Sequence, residues 1–294
     1  MPTSLRVRSY AKINLALAVL RRRPDGYHEI RTVFQTIDLH DELEFAESPK
    51  LELVCDGLPE VEPTQNLVWK AAEALSRLAG TCGGVRITLK KRIPAGAGLG
   101  GGSSNAAATL LGLTRFWGLQ TEISDLREVA GKIGADVPFF FEGGTALGIG
   151  RGDELYPLPS IEPVHLVVVY PGIRVSTAEA YRSLGLLLTS KEASRKIQRF
   201  CGRLQGNQSF WAGIFNDFET SILPAYPAIR EARSFLSDRG AKAVLLSGSG
   251  SSVFGFFLNE ESALAASRAK IPETWRVFPA KTLSHAEYHQ RLFG

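Results

Sequence analysis

Between Pro94 and Asn105 the chain reads Pro-Ala-Gly-Ala-Gly-Leu-Gly-Gly-Gly-Ser-Ser-Asn, with five glycines in the seven residues 96–102. So many glycines cost conformational entropy on folding, and a structural turn needs only one or two. What they supply is backbone that can approach a ligand closely with its N–H groups free. A helical pattern begins at once near Ser103, and a helix N-terminus favours an anion through its unpaired N–H groups and dipole. The hydroxyls of Ser103 and Ser104 add oxygens for capping, phosphate or a metal ion. The chemistry that fits is phosphate binding. A flexible loop with a serine cap is the plainer alternative, and the position between a strand and a strong helix weighs against it.

Two common phosphate loops do not match. A Walker loop needs Gly-Lys-Ser/Thr, and no Lys stands between Gly102 and Ser103. The dinucleotide pattern GxGxxG fits formally at Gly96, Gly98 and Gly101, which leaves a nucleotide-dependent oxidoreductase as a rival. Its context is poor, because Lys90-Lys91-Arg92-Ile93-Pro94 separates the preceding strand from the first Gly. The acidic residue expected about 20 positions on is also missing, since Asp125 opens a helix-like segment.

Two charged residues stand out elsewhere. In the segment 11–19, Lys12 and Asn14 alternate with Ile13, Leu15 and Leu17, so they share a strand face beside the small Ala16 and Ala18. Taken alone, Lys12 reads as a solvated strand lysine. Asp136, in Gly134-Ala-Asp-Val-Pro, reads either as a turn residue before Pro or as a carboxylate needing a partner beside Phe139-Phe-Phe141.

The elements that must carry these residues follow from periodicity. Strands are expected at 5–19 (bent in its middle), 51–54 and 85–89, and helices at 66–79, 103–117 and 123–133. Tyr156-Pro-Leu-Pro159 and Pro163 read as a linker. Beyond it, strands are expected at 165–170, 242–247, 252–258 and 275–279, with helices near 177–187, 191–200, 226–238 and 260–270. Both halves mix strands and helices, which gives an α+β chain of two domains, 1–158 and 159–294.

Composition narrows the setting. With 294 residues, 44% hydrophobic and 22% charged, the chain can bury a full core without metal or disulfide staples. Three widely spaced cysteines, Cys55, Cys82 and Cys201, argue for reduced thiols and against a disulfide framework or zinc cluster. A net charge of +4 without long basic runs suits an anionic small molecule and argues against nucleic acid as the partner. No signal-peptide-like or membrane-length apolar run occurs, so a cytoplasmic protein is expected.

Three motifs in order then carry a resemblance. Pro94 to Ala106 resembles the nucleotide-binding motif of the GHMP kinases (galacto-, homoserine, mevalonate and phosphomevalonate kinases). Ala11-Lys-Ile-Asn-Leu15 and Leu246-Ser-Gly-Ser-Gly-Ser-Ser-Val253 resemble that family's first and third motifs. The resemblance implies the two-domain GHMP kinase fold, an N-terminal domain built on a βαβ phosphate-binding unit and a C-terminal ferredoxin-like domain. It implies ATP, with Mg²⁺ carried by the nucleotide and no dedicated metal site, and a monomer or weak homodimer. Arg23-Pro-Asp-Gly-Tyr-His-Glu-Ile30, Thr32-Val-Phe-Gln35 and Asn216-Asp-Phe-Glu219 resemble stretches of the members that act on an alcohol carrying cytidine diphosphate. A small alcohol such as mevalonate or homoserine is the alternative acceptor, and a non-catalytic nucleotide-binding protein is a third reading.

Residue by residue, the resemblance implies Asp136 as general base and Lys12 as its charged partner at the accepting hydroxyl, with Asn14 in support. Pro94, Gly96, Gly98, Leu99, Gly100, Gly101, Gly102, Ser103 and Ser104 form the ATP phosphate loop. Asn66 and Lys91 form the adenine-side wall, although Asn66 also suits a helix cap. His28 reads the cytosine edge, and Tyr27 and Tyr181 pack around the base. Thr177 faces the site beside Ser176, which reads as a cap. Gly248 and Ser249 lie near the substrate phosphates, in a loop whose glycines a hairpin turn explains as well.

Overall fold

The computed structural model describes residues 3–57, 62–80, 83–184, 190–205 and 210–293. In chain order the first strands are β1 (Ser4–Arg22), β2 (His28–Glu47) and β3 (Leu51–Asp56), followed by helix α1 (Leu67–Ala79) and strand β4 (Val85–Lys90). Then come α2 (Gly101–Phe116), α3 (Ile123–Ile133), the short α4 (Phe139–Glu142), β5 (Thr145–Gly150) and β6 (Glu154–Pro157). The remainder comprises β7 (His165–Tyr170), α5 (Thr177–Ser183), α6 (Ser190–Gln205), β8 (Phe215–Asn216), α7 (Glu219–Ala225), α8 (Pro227–Asp238), β9 (Ala243–Leu246), β10 (Val253–Phe257), α9 (Glu260–Ser267), β11 (Arg276–Lys281) and α10 (His285–Leu292).

Among the described residues two sheets form. The larger runs β3-β4-β2-β1-β8, with β5 and β6 added beside β2. β3 and β4 are parallel and joined through α1, which is the expected βαβ unit, and β4 leads through the glycine loop into α2. The smaller sheet runs β11-β7-β10-β9 and is antiparallel throughout. Its chain order, β7-α8-β9-β10-α9-β11, is the ferredoxin-like arrangement. Ile13, Leu15, Val33 and Ile37 of the large sheet bury against Leu166, Val168, Phe254 and Phe256 of the small one. Helices α1 and α2 cover the other part of the large sheet, and α8 and α9 cover the outer face of the small one.

Several expectations change in detail. β2, twenty residues long, was not among the expected strands; both of its faces are buried over residues 32–37, and beyond them burial alternates through residues 39, 41, 43 and 45. The segment around Lys12 is one long strand, but its register slips between Asn14 and Ala16. That bulge places an extra residue on β1 and exchanges its faces. Ala16 and Ala18 therefore join the core of Ile13 and Leu15, and do not sit beside Lys12 and Asn14. The helix expected near 177–187 is described to Ser183, and residues 185–187, like Cys82, lie outside the described residues. α10 was not anticipated, although Ser284 and Glu287 form a full capping box at its start. Among the described residues no helix is long and apolar enough to cross a membrane.

Candidate active site

Lys12 is 4% exposed, although read alone it is a solvated lysine. A buried ammonium needs partners. It finds Asn14 Oδ1 at 2.9 Å and Asp136 Oδ2 at 3.4 Å, over the ring of Phe34 at 5.3 Å. Asn14 is fixed in turn, its Nδ2 donating to Thr32 Oγ1 at 2.7 Å, and Thr32 donates to the Ala16 carbonyl. Asp136 stands in the turn between α3 and α4 with 36% of its side chain exposed, so part of the carboxylate faces the cleft while Lys12 holds the other part. A lysine and a carboxylate in this relation can orient a hydroxyl, take its proton and offset the developing charge.

The glycine loop passes directly over this pair. Gly96, Gly98 and Gly100 all have positive φ, and the Gly100 position is so close that a β-carbon there would meet Lys12 Cγ and Phe140 Cζ at 2.9 Å. The Lys12 N–H donates to the Leu99 carbonyl at 3.0 Å, which locks the loop to β1. α2 begins at Gly101, two residues earlier than the pattern suggested, so its first N–H groups face the loop.

The loop 247–252 packs on the glycine loop from the small sheet. Ser247 Oγ donates to the Gly98 carbonyl at 2.9 Å, and the Ser252 N–H donates to the Ala97 carbonyl at 3.1 Å. A β-carbon on Gly98 would lie 2.0 Å from the Ser247 carbonyl oxygen. Gly248 approaches the Lys12 ammonium, and Ser249 shares a hydrogen bond of 3.1 Å with Thr177 at the start of α5. Ser176 caps that helix by accepting from the Glu179 N–H. These groups enclose a cleft of about 370 Å³ lined by Lys12, Asn14, Asp136, Ser103, Thr177 and Tyr181, among others.

One end of the cleft is aromatic. Tyr27 lies on the turn between β1 and β2, 53% exposed, with the Arg151 guanidinium 4.9 Å from its ring centre. His28 lies flat on Tyr181, and Phe218 meets Tyr181 edge-on at 4.9 Å. Burial, and then the charge of Arg22, push the His28 pKa below its ordinary value. Burial pushes the Tyr181 phenol up, and the nearby Asp136 carboxylate adds to it. The imidazole covers one face of the Tyr181 ring.

Some expected binding residues have partners of their own within the protein. Asn66 caps α1, accepting from the Val68 N–H at 3.0 Å. Lys91 is paired with the buried Asp41, and Ser104 accepts from Ser9 Oγ at 2.7 Å beneath the helix, 1% exposed. Pro94 and Leu99 are buried under the loop, and Gly102 lies exposed on its outer side. Sequence reading missed Asp41 and Arg151. It also gave no role to the run 216–219. Asn216 Nδ2 bridges the Leu246 and Gly248 carbonyls at 2.8 and 2.7 Å, and Asp217 accepts from Val19 N–H. Phe218 backs Tyr181, and Glu219 accepts from Leu246 N–H. This run ties the two sheets together at the site, and in the sequence its resemblance to a stretch of the cytidyl-diphosphate members is the signal that marks it. Among the described residues no cluster of three His, Cys, Asp or Glu is placed to hold a metal ion.

The chain matches the family models for the GHMP kinases N terminal domain over residues 66–144 and the GHMP kinases C terminal over residues 190–276. A 4-diphosphocytidyl-2-C-methyl-D-erythritol kinase of Syntrophus aciditrophicus (strain SB) is 41% identical over 281 residues, covering 95% of this chain and 99% of the relative. The protein of the same name from Chlorobium limicola is 43% identical over 260 residues, 87% of this chain and 90% of the relative. A crystal structure of 4-(cytidine 5'-diphospho)-2C-methyl-D-erythritol kinase superposes with a TM-score of 0.79 at 35% identity, covering 95% of this chain and 99% of that one. A glycine loop on a helix N-terminus, a buried lysine paired with a partly exposed aspartate beneath it and matches across both halves lead to one conclusion: the chain belongs to the GHMP kinase family of ATP-dependent kinases.

Proposed function

We propose that this chain transfers the γ-phosphoryl group of ATP to the 2-hydroxyl of 4-diphosphocytidyl-2-C-methyl-D-erythritol, a step of the non-mevalonate route to isoprenoid precursors. The observation that carries this reading is the aromatic end of the cleft: Tyr27 and Tyr181 line the same space as Lys12 and Asp136, and with His28 they also line an adjoining pocket. A nucleobase fits such a pocket, and an acceptor without one has no use for it. The relatives named for this reaction span nearly the whole chain and support the same reading.

In this mechanism Asp136 takes the proton of the acceptor hydroxyl as its oxygen attacks the γ-phosphorus. The bond from that phosphorus to the β–γ bridging oxygen breaks, and ADP leaves. Lys12 orients Asp136 and the hydroxyl and offsets charge on the transferring group. The N–H groups of Gly96–Ser103 hold the ATP phosphates, and Gly248 and Ser249 close the site from the small sheet. Positioning and electrostatics of this kind supply most of the acceleration in phosphoryl transfer. Mg²⁺ carried with the nucleotide would neutralise charge on its phosphates. Ser103, which lines the cleft, would offer it one of the hard oxygens it prefers. A cytoplasmic monomer or weak homodimer, divided near residue 158 and acting on a small molecule, belongs to the same reading.

The test is ADP release from Mg-ATP with 4-diphosphocytidyl-2-C-methyl-D-erythritol, mevalonate and homoserine side by side. Turnover with the cytidyl acceptor alone is the expected result. Activity on another alcohol only would keep the kinase and discard the acceptor.

A further inference from the structure

Asp41 lies in the middle of β2 with no side-chain exposure, where an ionised carboxylate is costly unless its oxygens are fully supplied with donors. They are. Oδ1 accepts from the backbone N–H groups of Arg92 at 2.7 Å and Ile93 at 2.8 Å. Oδ2 accepts from Asn105 Nδ2 at 2.9 Å and from the Lys91 ammonium. Lys91 also donates to Asn105 Oδ1 at 3.0 Å, and Asn105 Nδ2 reaches Ser9 Oγ at 2.8 Å. Residues 91–93 immediately precede the glycine loop, and Asn105 follows it in α2. A single carboxylate therefore holds both feet of the loop. Lys91 Nζ lies 3.2 Å from where a β-carbon of Gly101 would stand, directly under the first residue of the helix. Neither Asp41 nor Lys91 lines the cleft.

We propose that Asp41 and Lys91 are positioning residues for the nucleotide, a buried pair that sets the span of the glycine loop from beneath and thereby aims its N–H groups at the phosphates. This differs from a lysine that contacts ATP itself, and the two roles separate in a double-mutant cycle. Asp41→Asn turns an acceptor into a donor facing Lys91 and Asn105. Lys91→Met leaves a buried carboxylate without its counter-charge. The double mutant removes both charges, and the amide oxygen introduced at position 41 still accepts from Arg92 and Ile93.

Calorimetric titration of the full-length variants with Mg-ATP, without acceptor, keeps the test independent of the substrate assignment. Each single mutant is expected to bind ATP about tenfold or more weakly, the scale of one unsatisfied buried group. The double mutant is expected to return to within about threefold of the parent. Singles that bind like the parent overturn the proposal. So does a double mutant that recovers less than half of the Lys91→Met loss on a logarithmic scale, because Lys91 then touches the nucleotide. If Asp41→Asn does not fold, Lys91→Met against the double mutant decides by the same criterion. Amide hydrogen exchange over residues 92–104 then adds a second readout: it must be faster in Lys91→Met than in parent and double mutant, and equal rates in all three overturn the proposal.

Discussion

The imidazole of His28 lies flat on the phenol of Tyr181, with ring centroids 4.3 Å apart and planes 10° from parallel. The two residues come from opposite halves of the chain, so this stack forms only when the β1–β2 turn and α5 meet. Phe218 holds Tyr181 in place from its edge. If a cytosine stacks on the Tyr181 ring, Tyr181→Ala should raise KM for the cytidyl acceptor by about tenfold to a hundredfold, on stacking worth roughly 1–3 kcal/mol per base. KM for ATP should not change, and steady-state kinetics with each substrate varied separately will show whether it does.

The pH behaviour of His28 follows from its surroundings. Burial and then Arg22 disfavour its charged form, so its folded-state pKa lies below the ordinary value of about 6.5. As pH falls, the unfolded chain binds this proton first. The stability contributed by neutral His28 is therefore whole above about pH 6.5 and declines as pH drops from there through the folded value. An NMR titration of the imidazole C–H signals should give a midpoint below 6.5, and KM for the acceptor should be level between pH 7 and 8. A midpoint above 6.5 would contradict the burial argument.

Removing the carboxylate of Asp136 should separate chemistry from binding. Asp136→Asn keeps the size of the side chain and a hydrogen-bond acceptor for Lys12, but it cannot take a proton. The expected loss is about 10²–10⁴-fold in kcat with ATP affinity within a few-fold of the parent. Lys12→Met should lose comparably in kcat. Near-normal turnover of Asp136→Asn in an ADP-release assay would remove it from the mechanism.

Two glycines should respond oppositely to alanine. At Gly98 the backbone has φ +78°, and a β-carbon would lie 2.0 Å from the Ser247 carbonyl oxygen, which cannot retreat without separating the two loops. Gly98→Ala should abolish tight ATP binding and lower the Tm. At Gly131, inside α3, a β-carbon meets nothing within 4 Å. Gly131→Ala should stabilise by about 0.5–1 kcal/mol through reduced freedom of the unfolded chain. Differential scanning calorimetry should then show a rise of about 1–3 °C.

The sequence alone determined the parts of this protein whose causes are local. Glycine density before an alanine-rich helix announces a phosphate loop, because only glycine readily takes the positive φ found at positions 96, 98 and 100. Helical periods located α1 and α3, which bury one face and show the other to solvent, whereas α2 and strands β7 and β10 of the small sheet were legible as apolar runs because they are buried on nearly every side. What the tertiary structure decided is everything that depends on distance across the chain. A bulge between Asn14 and Ala16 exchanged the faces of β1, an effect of pairing with β2 that no single-strand pattern contains. Burial turned Lys12 from a solvated residue into one held between Asn14 and the sequence-distant Asp136. The same packing drew Lys91 and Ser104 out of the cleft into partnerships with Asp41 and Ser9. A charged or hydroxylated side chain carries no local sign of its partner, and desolvation, which sets the strength of each pairing, exists only once the sheets and helices have closed around it.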